Sequence, residues 1–230
     1  MDKSKSYFFG IIALAAGLLL AFVLIDQIVD VAKVQPEIWA VFYFFTIHAN
    51  IFALVWLVIF GVTRFIKKRT FLHKFADSQA VLTALALYMF ITFFVMATLL
   101  TPIWDGRWVD GLTRHALWFH LIFPLVIMLF WFFLNHSKPP RFRSALYMLI
   151  YPIAYLGFNM ILANTITPRE WEYEIAGNTI QGGFAYPFIN PSSYPHVALF
   201  ILAMIGLAAA VWGLGVLFIL IKRKLHKELN

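Results

Sequence analysis

Six apolar runs of about 20 residues recur along this chain of 230 residues and constrain its fold more than any other feature. They cover about 7–32, 38–62, 78–100, 115–134, 145–165 and 196–221. A helix of roughly 20 apolar residues crosses the hydrocarbon core of a bilayer, and in lipid an open segment satisfies its backbone polar groups only as a helix. The sequence therefore predicts an all-α polytopic membrane protein, with six transmembrane helices bundled in one domain over residues 1–230.

Composition supports this class. The chain is 62% hydrophobic and 13% charged, whereas soluble domains are nearer half apolar and a quarter charged. The first run follows Lys3 and Lys5, as a signal peptide would, but its apolar core is too long for a signal sequence and predicts a retained span. The chain has no cysteine, which excludes a thiol nucleophile and a thiolate metal site.

The distribution of basic residues predicts the orientation in the membrane. With six spans, both termini and the second and fourth loops share one side, where fourteen of the 18 Lys and Arg residues fall. The other side has Lys33, Arg107, Arg114 and Arg169. Because Lys and Arg accumulate in cytoplasmic loops, we expect both termini in the cytoplasm. The net charge of +7 then reflects topology and attraction to anionic lipids, and no nucleic-acid partner is expected.

Several local signals concern packing and loops. Pro124 and Pro152 predict kinks in the fourth and fifth spans, because each removes a helical hydrogen bond. The long loop at 166–195 is rich in aromatic residues and predicts a lid over the bundle, or alternatively a connector with interfacial aromatics. Small residues at four-residue spacing predict close helix contacts in the first and sixth spans; they are Ala13, Gly17 and Ala21, and Ala209 with Gly213.

Polar side chains interrupt the second run. Thr46 and Asn50 lie four residues apart and share a predicted helix face with Tyr43, whereas His48 points to nearly the opposite side. If the helix begins near residue 38, Thr46 lies about 12 Å below its end. A polar group at such depth is costly unless it is paired, so it indicates a functional site.

The fourth and fifth runs carry similar interruptions. His120 lies about five residues into the fourth run, roughly 8 Å deep. Tyr151, Tyr155 and Asn159 form a stripe at four-residue spacing in the fifth run. With alternating helix directions, His120 and Asn159 reach a depth similar to that of Thr46. We therefore expect these side chains to meet in one pocket.

Such a pocket has the groups for ester hydrolysis. A threonine hydroxyl becomes a nucleophile when a neighbouring base takes its proton, and histidine suits that role near neutral pH. Asn50 or Asn159 can donate an N–H to a developing oxyanion, and Tyr43 and Tyr155 are candidates for binding the substrate. The structural alternatives are a threonine bonded to its own helix backbone and His or Asn side chains that only link helices.

Four short motifs add a resemblance. Residues 43–50 (YFFTIHAN) resemble the Thr-x-x-Ser-Asn element of bacterial six-pass proteins related to the androgen-induced and androgen-dependent TFPI-regulating proteins of animals. Residues 120–124 (HLIFP) resemble that family's His-x-x-x-Pro, 151–155 (YPIAY) its entry to the fifth span, and 186–188 (YPF) its Tyr-Pro-Phe. Ala49 departs from the bacterial pattern, which has Ser there, and the spacing of His120 and Pro124 differs by about one residue from the animal pattern.

The resemblance implies a function. The animal members are membrane threonine hydrolases that cleave fatty acid esters of hydroxy fatty acids with a Thr in span two and a His in span four. By position this implies Thr46 as nucleophile and His120 as general base, with no metal and no cofactor. It also implies membrane lipids and a lipid-like ester as partners, and the bacterial cytoplasmic membrane as location.

Two other classes of function stay open. A metal or haem held by histidines would use His48, His115, His120 and His196, which all fall toward one side of the membrane. A non-catalytic lipid-binding or transport scaffold would use the same polar residues only to hold helices together.

Overall fold

The computed structural model describes residues 3–34, 38–100, 114–134, 138–165, 173–175, 178–180 and 184–228. In this described part of the chain, six helices are long and apolar enough to cross a membrane, which confirms the predicted all-α bundle of six spans. We number them α1 (Lys3–Val34), α2 (Phe45–Thr63), α3 (Gln79–Val95), α4 (Arg114–Leu117, Trp118–Ile122 and Phe123–Phe133), α5 (Ser144–Tyr147 and Ile150–Thr165) and α6 (Val197–Glu228).

Shorter elements join these helices. The turns are a 3₁₀ helix at Ile38–Tyr43, a short helix at Phe71–Ala76, a π turn at Met96–Leu100, and 3₁₀ turns at Pro187–Ile189 and Pro191–Ser193. Strands β1 (Tyr173–Ile175) and β2 (Asn178–Ile180) form an antiparallel hairpin within the long loop, with Tyr173 opposite Ile180. The hairpin belongs to the loop and leaves the bundle itself all-α.

Contacts between helix ends define two ends of the bundle. At one end, which we call the basic end, the start of α1 meets the end of α2, and the start of α3 meets the end of α4 through Gln79 and Leu134. At the other, the distal end, Asp26 near the end of α1 meets His115 at the start of α4. Successive helices therefore run in opposite directions.

Helices α1 and α2 approach closely because small residues face each other. A Cβ atom on Gly61 would lie 2.6 Å from Leu14, and one on Gly10 would lie 2.8 Å from Arg64. Gly17 packs against Val58 and Leu57, as its spacing predicts. In α6 the prediction was wrong: a Cβ on Gly213 would meet none of the described residues within 4 Å, and Gly215 instead packs against Met148 and Ala145. Sequence spacing alone does not say which face of a helix has a neighbour.

Each of the two prolines leaves one carbonyl of its helix without a helical donor. Pro152 lacks the N–H that would reach Met148, and the Tyr88 hydroxyl donates to this carbonyl over 3.0 Å. In α4 the Phe123 N–H bonds to the Trp118 carbonyl, five residues back. Since Pro124 has no N–H, no helical donor is left for the Phe119 carbonyl, and a side chain of α2 serves it instead.

A buried lysine caps the C-terminal end of α4 at the basic end of the bundle. Lys222 of α6 is 1% exposed, and its ammonium donates to the carbonyls of Trp131 and Leu134. Gln79 donates to the same Leu134 carbonyl over 2.7 Å. The last carbonyls of a helix have no helical donor, and a cation there is also favoured by the helix dipole. Three helices are thereby joined at this end.

The start of α2 differs from the sequence prediction. We expected the helix from about residue 38, but α2 begins at Phe45, after the 3₁₀ helix and Phe44 in extended conformation (φ −86°, ψ 131°). Thr46 is therefore the second residue of α2, not one eight residues inside it. The correction places Thr46 in a first helical turn, where backbone N–H groups have no helical acceptor.

Candidate functional site

The structure brings Thr46 and His120 together at the distal end. The Thr46 Oγ1 lies 3.2 Å from the His120 Nε2, across the interface between α2 and α4. The other imidazole nitrogen, Nδ1, lies 3.0 Å from the carbonyl oxygen of Ala116. Because a carbonyl oxygen only accepts, Nδ1 carries the hydrogen and Nε2 presents its lone pair. The Thr46 hydroxyl therefore donates to His120.

Thr46 differs in this respect from three other described threonines near the membrane spans, although Thr83 also has an interhelical partner, since its hydroxyl accepts from the Trp131 indole. The hydroxyls of Thr63, Thr92 and Thr98 each donate to a backbone carbonyl three or four residues earlier, over 2.7–3.0 Å. That local bond is the usual fate of a threonine in a helix. Thr46 is 7% exposed, close to the 3% of Thr63 and Thr92, yet its hydroxyl is paired with an imidazole from another helix.

A π turn carries His120 into this position. Trp118–Ile122 form the π segment of α4, and π turns inside helices occur often at functional sites. The turn shifts the phase of α4 just before Pro124. The ring of His120 is then fixed from both sides, by its own helix at Nδ1 and by α2 at Nε2.

Asn50 supports the π turn instead of facing a substrate. Its Nδ2 donates to the Thr46 carbonyl over 2.8 Å and to the Phe119 carbonyl over 3.3 Å. Phe119 is the residue whose carbonyl the π turn and Pro124 leave without a helical donor. Both amide hydrogens of Asn50 are thus engaged, which leaves none for the oxyanion role that the sequence suggested. Among the described residues, nothing donates to its buried Oδ1.

Asn159 also has a packing role. Its Nδ2 donates to the Tyr155 carbonyl, and its Oδ1 accepts from the Ala185 N–H, each over 3.3 Å. Asn159 is fully buried and ties the segment at 184–189 to α5. It lies beside the site without a contact to Thr46 or His120 in the described hydrogen bonds.

The two tyrosine candidates lie next to the start of α2. The Tyr155 hydroxyl donates to the Tyr43 carbonyl over 2.6 Å, and Tyr43 itself is completely buried. Both belong to a second core cluster at the distal end, together with Phe184, Ala185 and Tyr186. Their arrangement holds the non-helical stretch before Phe45 against α5.

Tyr186 is the site residue that the sequence analysis did not assign. Its hydroxyl interacts with the Thr46 side chain and with the backbone of Phe45 and Thr46. Burial raises the pKa of the Tyr186 phenol to about 12, against the opposing effect of these contacts. The phenol therefore stays protonated at neutral pH and remains a hydrogen-bond donor. The Tyr-Pro-Phe motif at 186–188 was the signal that could have pointed to it.

The four histidines of the metal hypothesis do not form one site. His48 packs on the rings of Tyr155 and Phe158 in α5, away from His120, and His196 is exposed. His115 instead lies 2.9 Å from Asp26 and 3.8 Å from Asp30. The ligand atoms of these three residues fall within 4.8 Å of one another, so this group can hold a metal ion.

The group of Asp26, Asp30 and His115 was also missed by the sequence analysis. Asp26 and Asp30 share one face of α1 at four-residue spacing, and Lys33 forms an ion pair with Asp30 over 2.8 Å. Their proximity to His115 depends on how α1 packs against α4.

Comparisons with models of known protein families, with curated proteins and with solved structures gave no match.

Proposed function

We propose that this protein is an intramembrane hydrolase of lipid esters that uses Thr46 as nucleophile and His120 as general base. The observation that carries the proposal is the 3.2 Å contact between the Thr46 hydroxyl and the unprotonated nitrogen of His120. A nucleophile, a base within hydrogen-bond reach and a third group that orients the base are the parts of a hydrolytic triad. Here the carbonyl of Ala116 orients the imidazole.

In the proposed reaction, the His120 Nε2 takes the Thr46 proton as Oγ1 attacks the ester carbonyl. The tetrahedral intermediate collapses to an acyl-threonine, and the imidazolium gives its proton to the departing alkoxide, which leaves as an alcohol. A water then attacks the acyl-threonine and transfers a proton to the same imidazole. The carboxylic acid leaves, and Thr46 regains its hydrogen. The net change is ester plus water to acid plus alcohol.

The start of α2 and Tyr186 supply candidate oxyanion donors. The N–H groups of Ile47 and His48 bond to the Phe44 carbonyl, whereas Phe45 and Thr46 precede the first residues that can reach a helical acceptor. Tyr186 lies against the backbone of both. If an ester oxygen displaced the Tyr186 hydroxyl from this position, it would lie next to the backbone N–H groups of Phe45 and Thr46. The displaced hydroxyl could then donate to the same oxygen. Preorganised donors of this kind stabilise a developing oxyanion.

A substrate can reach Thr46 only if the residues packed over it move. Thr46 is 7% exposed, and Phe184, Ala185, Tyr186 and Ile189 are all buried against the same cluster. In the proposal, the segment at 184–189 moves aside to admit an ester from the membrane and then excludes bulk water. This is the lid role predicted for the long loop, narrowed to the part beside Thr46.

The substrate class follows from the location and from the resemblance. A long-chain ester dissolved in the bilayer reaches the distal end sideways, and fatty acid esters of hydroxy fatty acids are the type that the resemblance implies. We further propose a single-domain protein of the bacterial cytoplasmic membrane with both termini in the cytoplasm. No nucleic acid or cofactor takes part in the proposed reaction.

A fluorophosphonate probe tests the proposal on purified protein. We expect a covalent adduct on Thr46, mapped by peptide mass spectrometry, and its loss in Thr46→Ala and His120→Ala. Thr92→Ala is the matched control, because Thr92 is a similarly buried membrane threonine that bonds, among the described residues, only to its own helix. An adduct elsewhere, or labelling that persists in Thr46→Ala, would contradict the assignment.

A second candidate function is binding of a divalent metal, favoured by Asp26, Asp30 and His115. Carboxylate and imidazole suit several divalent first-row metals. Elemental analysis of the purified protein, compared with His115→Ala and with the exposed control His196→Ala, separates this candidate. Metal that disappears only in His115→Ala supports it, whereas equal metal content in all three proteins contradicts it.

A further inference from the structure

A large cavity opens at the basic end, far from Thr46. Its volume is about 820 Å³, and it lies between the loop joining α2 to α3 and the loop joining α4 to α5. That volume falls in the range of small-molecule sites. The residues that matter for its chemistry are Arg69, Phe71, Lys74, Gln79, Lys138 and Arg141.

The charges around this cavity favour an anion. Four of its lining side chains are cations, and Asp77 is the carboxylate among them. Asp77 is already engaged, because Arg64 lies 2.6 Å away and Arg69 3.6 Å away. In the described part of the chain, no carboxylate forms an ion pair with Lys74, Lys138 or Arg141. These three cations are therefore available to bind an anionic ligand.

The wall of the cavity includes the start of α3. Ser78 caps this helix by accepting from the Val81 N–H, and the N-terminus of a 17-residue helix favours negative charge. Gln79 also lines the cavity and is 3% exposed. Its Nε2 donates to the Leu134 carbonyl, but nothing among the described residues donates to its buried Oε1. A hydroxyl or ammonium group of a ligand would satisfy that oxygen.

An apolar residue at the cavity points to an amphiphile. Phe71 lines the cavity with 76% of its surface exposed, next to Leu72 at 41%. The cavity also lies where spans end or begin, between Thr63 and Gln79 and between Phe133 and Ser144. In a bilayer this is the level of the lipid headgroups. A soluble anion gains nothing from an exposed phenyl ring at that depth, whereas a lipid does.

We propose that this cavity binds the headgroup of an anionic phospholipid. The phosphate lies among Lys74, Lys138 and Arg141, a headgroup hydroxyl or ammonium reaches Gln79, and an acyl chain lies along Phe71. Basic pockets between membrane helices bind phospholipid headgroups elsewhere. The proposal is independent of the hydrolase proposal, because no residue of this cavity touches Thr46 or His120.

Native mass spectrometry of the full chain in detergent tests this site with phosphatidylglycerol and phosphatidylcholine. We expect phosphatidylglycerol to bind at least tenfold more tightly. Replacement of the three free cations (K74Q/K138Q/R141Q) should remove most of that preference. The matched control (K67Q/K68Q/R143Q) changes three exposed cations of the same loops that do not line the cavity. It should keep affinity within about twofold. Phe71→Ser should weaken the binding of phosphatidylglycerol but not the binding of glycerol phosphate.

Several outcomes would overturn the proposal. Equal losses in the two triple variants would indicate general surface charge, and equal binding of phosphatidylcholine would indicate an unspecific lipid shell. Competition by inorganic phosphate at the same concentration as lipid would indicate a site for free phosphate. A melting temperature unchanged by K74Q/K138Q/R141Q in lipid-free detergent shows that the variant is folded; if it is not folded, single substitutions at Lys74 and Lys138 replace it.

Discussion

The Asn50 side chain should contribute about 1–2 kcal/mol to the free energy of unfolding, because it donates to a carbonyl of α4 that has no donor within α4. Phe123 N–H bonds to Trp118 and Pro124 has no N–H, so Asn50 is the donor to the Phe119 carbonyl, over 3.3 Å. A buried carbonyl left without a donor costs about 1–3 kcal/mol, and interhelical bonds in membranes average about 0.6 kcal/mol. Asn50→Leu also removes an Oδ1 that lacks a donor, which offsets part of the loss. We therefore expect a net cost of about 1–2 kcal/mol.

Pro124→Ala should rescue this variant. Alanine restores an N–H at position 124, five residues after Phe119, where a π turn places the donor. In the double variant the cost of Asn50→Leu should fall below about 0.5 kcal/mol, a coupling of about 1 kcal/mol in a double-mutant cycle. Asn164→Leu is the control, because Asn164 is exposed and its one hydrogen bond within the described ranges is to its own helix.

The assay is equilibrium unfolding in mixed micelles, with fluorophosphonate labelling of Thr46 measured in parallel. His120 follows Phe119 directly, so Asn50→Leu should slow labelling and Pro124→Ala should restore its rate. Strictly additive free energies in the cycle would mean that Asn50 and Pro124 do not act on the same carbonyl, contrary to this expectation.

Three further outcomes follow from the structure. The pKa of Tyr186 is raised from 10.0 to about 12, so this phenol contributes stability that is present below pH 10 and is lost as pH rises to 12. At about 1.4 kcal/mol per unit the loss is about 3 kcal/mol, and the difference in stability between wild type and Tyr186→Phe should shrink accordingly in alkaline melts. Gly61→Ala should destabilise the protein by about 1–3 kcal/mol, because its Cβ would lie 2.6 Å from α1, whereas Gly213→Ala should cost nothing in thermal unfolding. Tyr88→Phe should cost about 1–2 kcal/mol by orphaning the Met148 carbonyl; an unchanged melting temperature would contradict that bond.

The helical architecture could be predicted because it depends on local composition. Each span needs only about 20 apolar residues, and all six were found within a few residues of their observed bounds, apart from the start of α2 at Phe45 and the end of α6 at Glu228. Counting along helices also placed His120 and Thr46 toward the same end of the bundle, although Thr46 is the second residue of α2 and not one eight residues inside it. This is why their proximity could be expected before the 3.2 Å contact was known.

The details of the site depend on long-range pairings that no window of sequence contains. The π turn in α4 is stable because Asn50 of another helix serves the carbonyl it orphans. Tyr186 comes from a loop without periodicity, and its place beside Thr46 depends on how 184–189 packs on α5. The group of Asp26, Asp30 and His115 likewise forms only when α1 docks against α4.

The decisive measurement of whether Thr46 and His120 act as a catalytic pair is the steady-state hydrolysis of a fatty acid ester of a hydroxy fatty acid by purified protein. Activation of Thr46 by His120 predicts that Thr46→Ala abolishes turnover, that His120→Ala reduces it on the order of 10²–10⁴-fold, and that Thr46→Ser and Thr92→Ala stay active. Turnover at the wild-type rate in Thr46→Ala, with the protein folded, would contradict it.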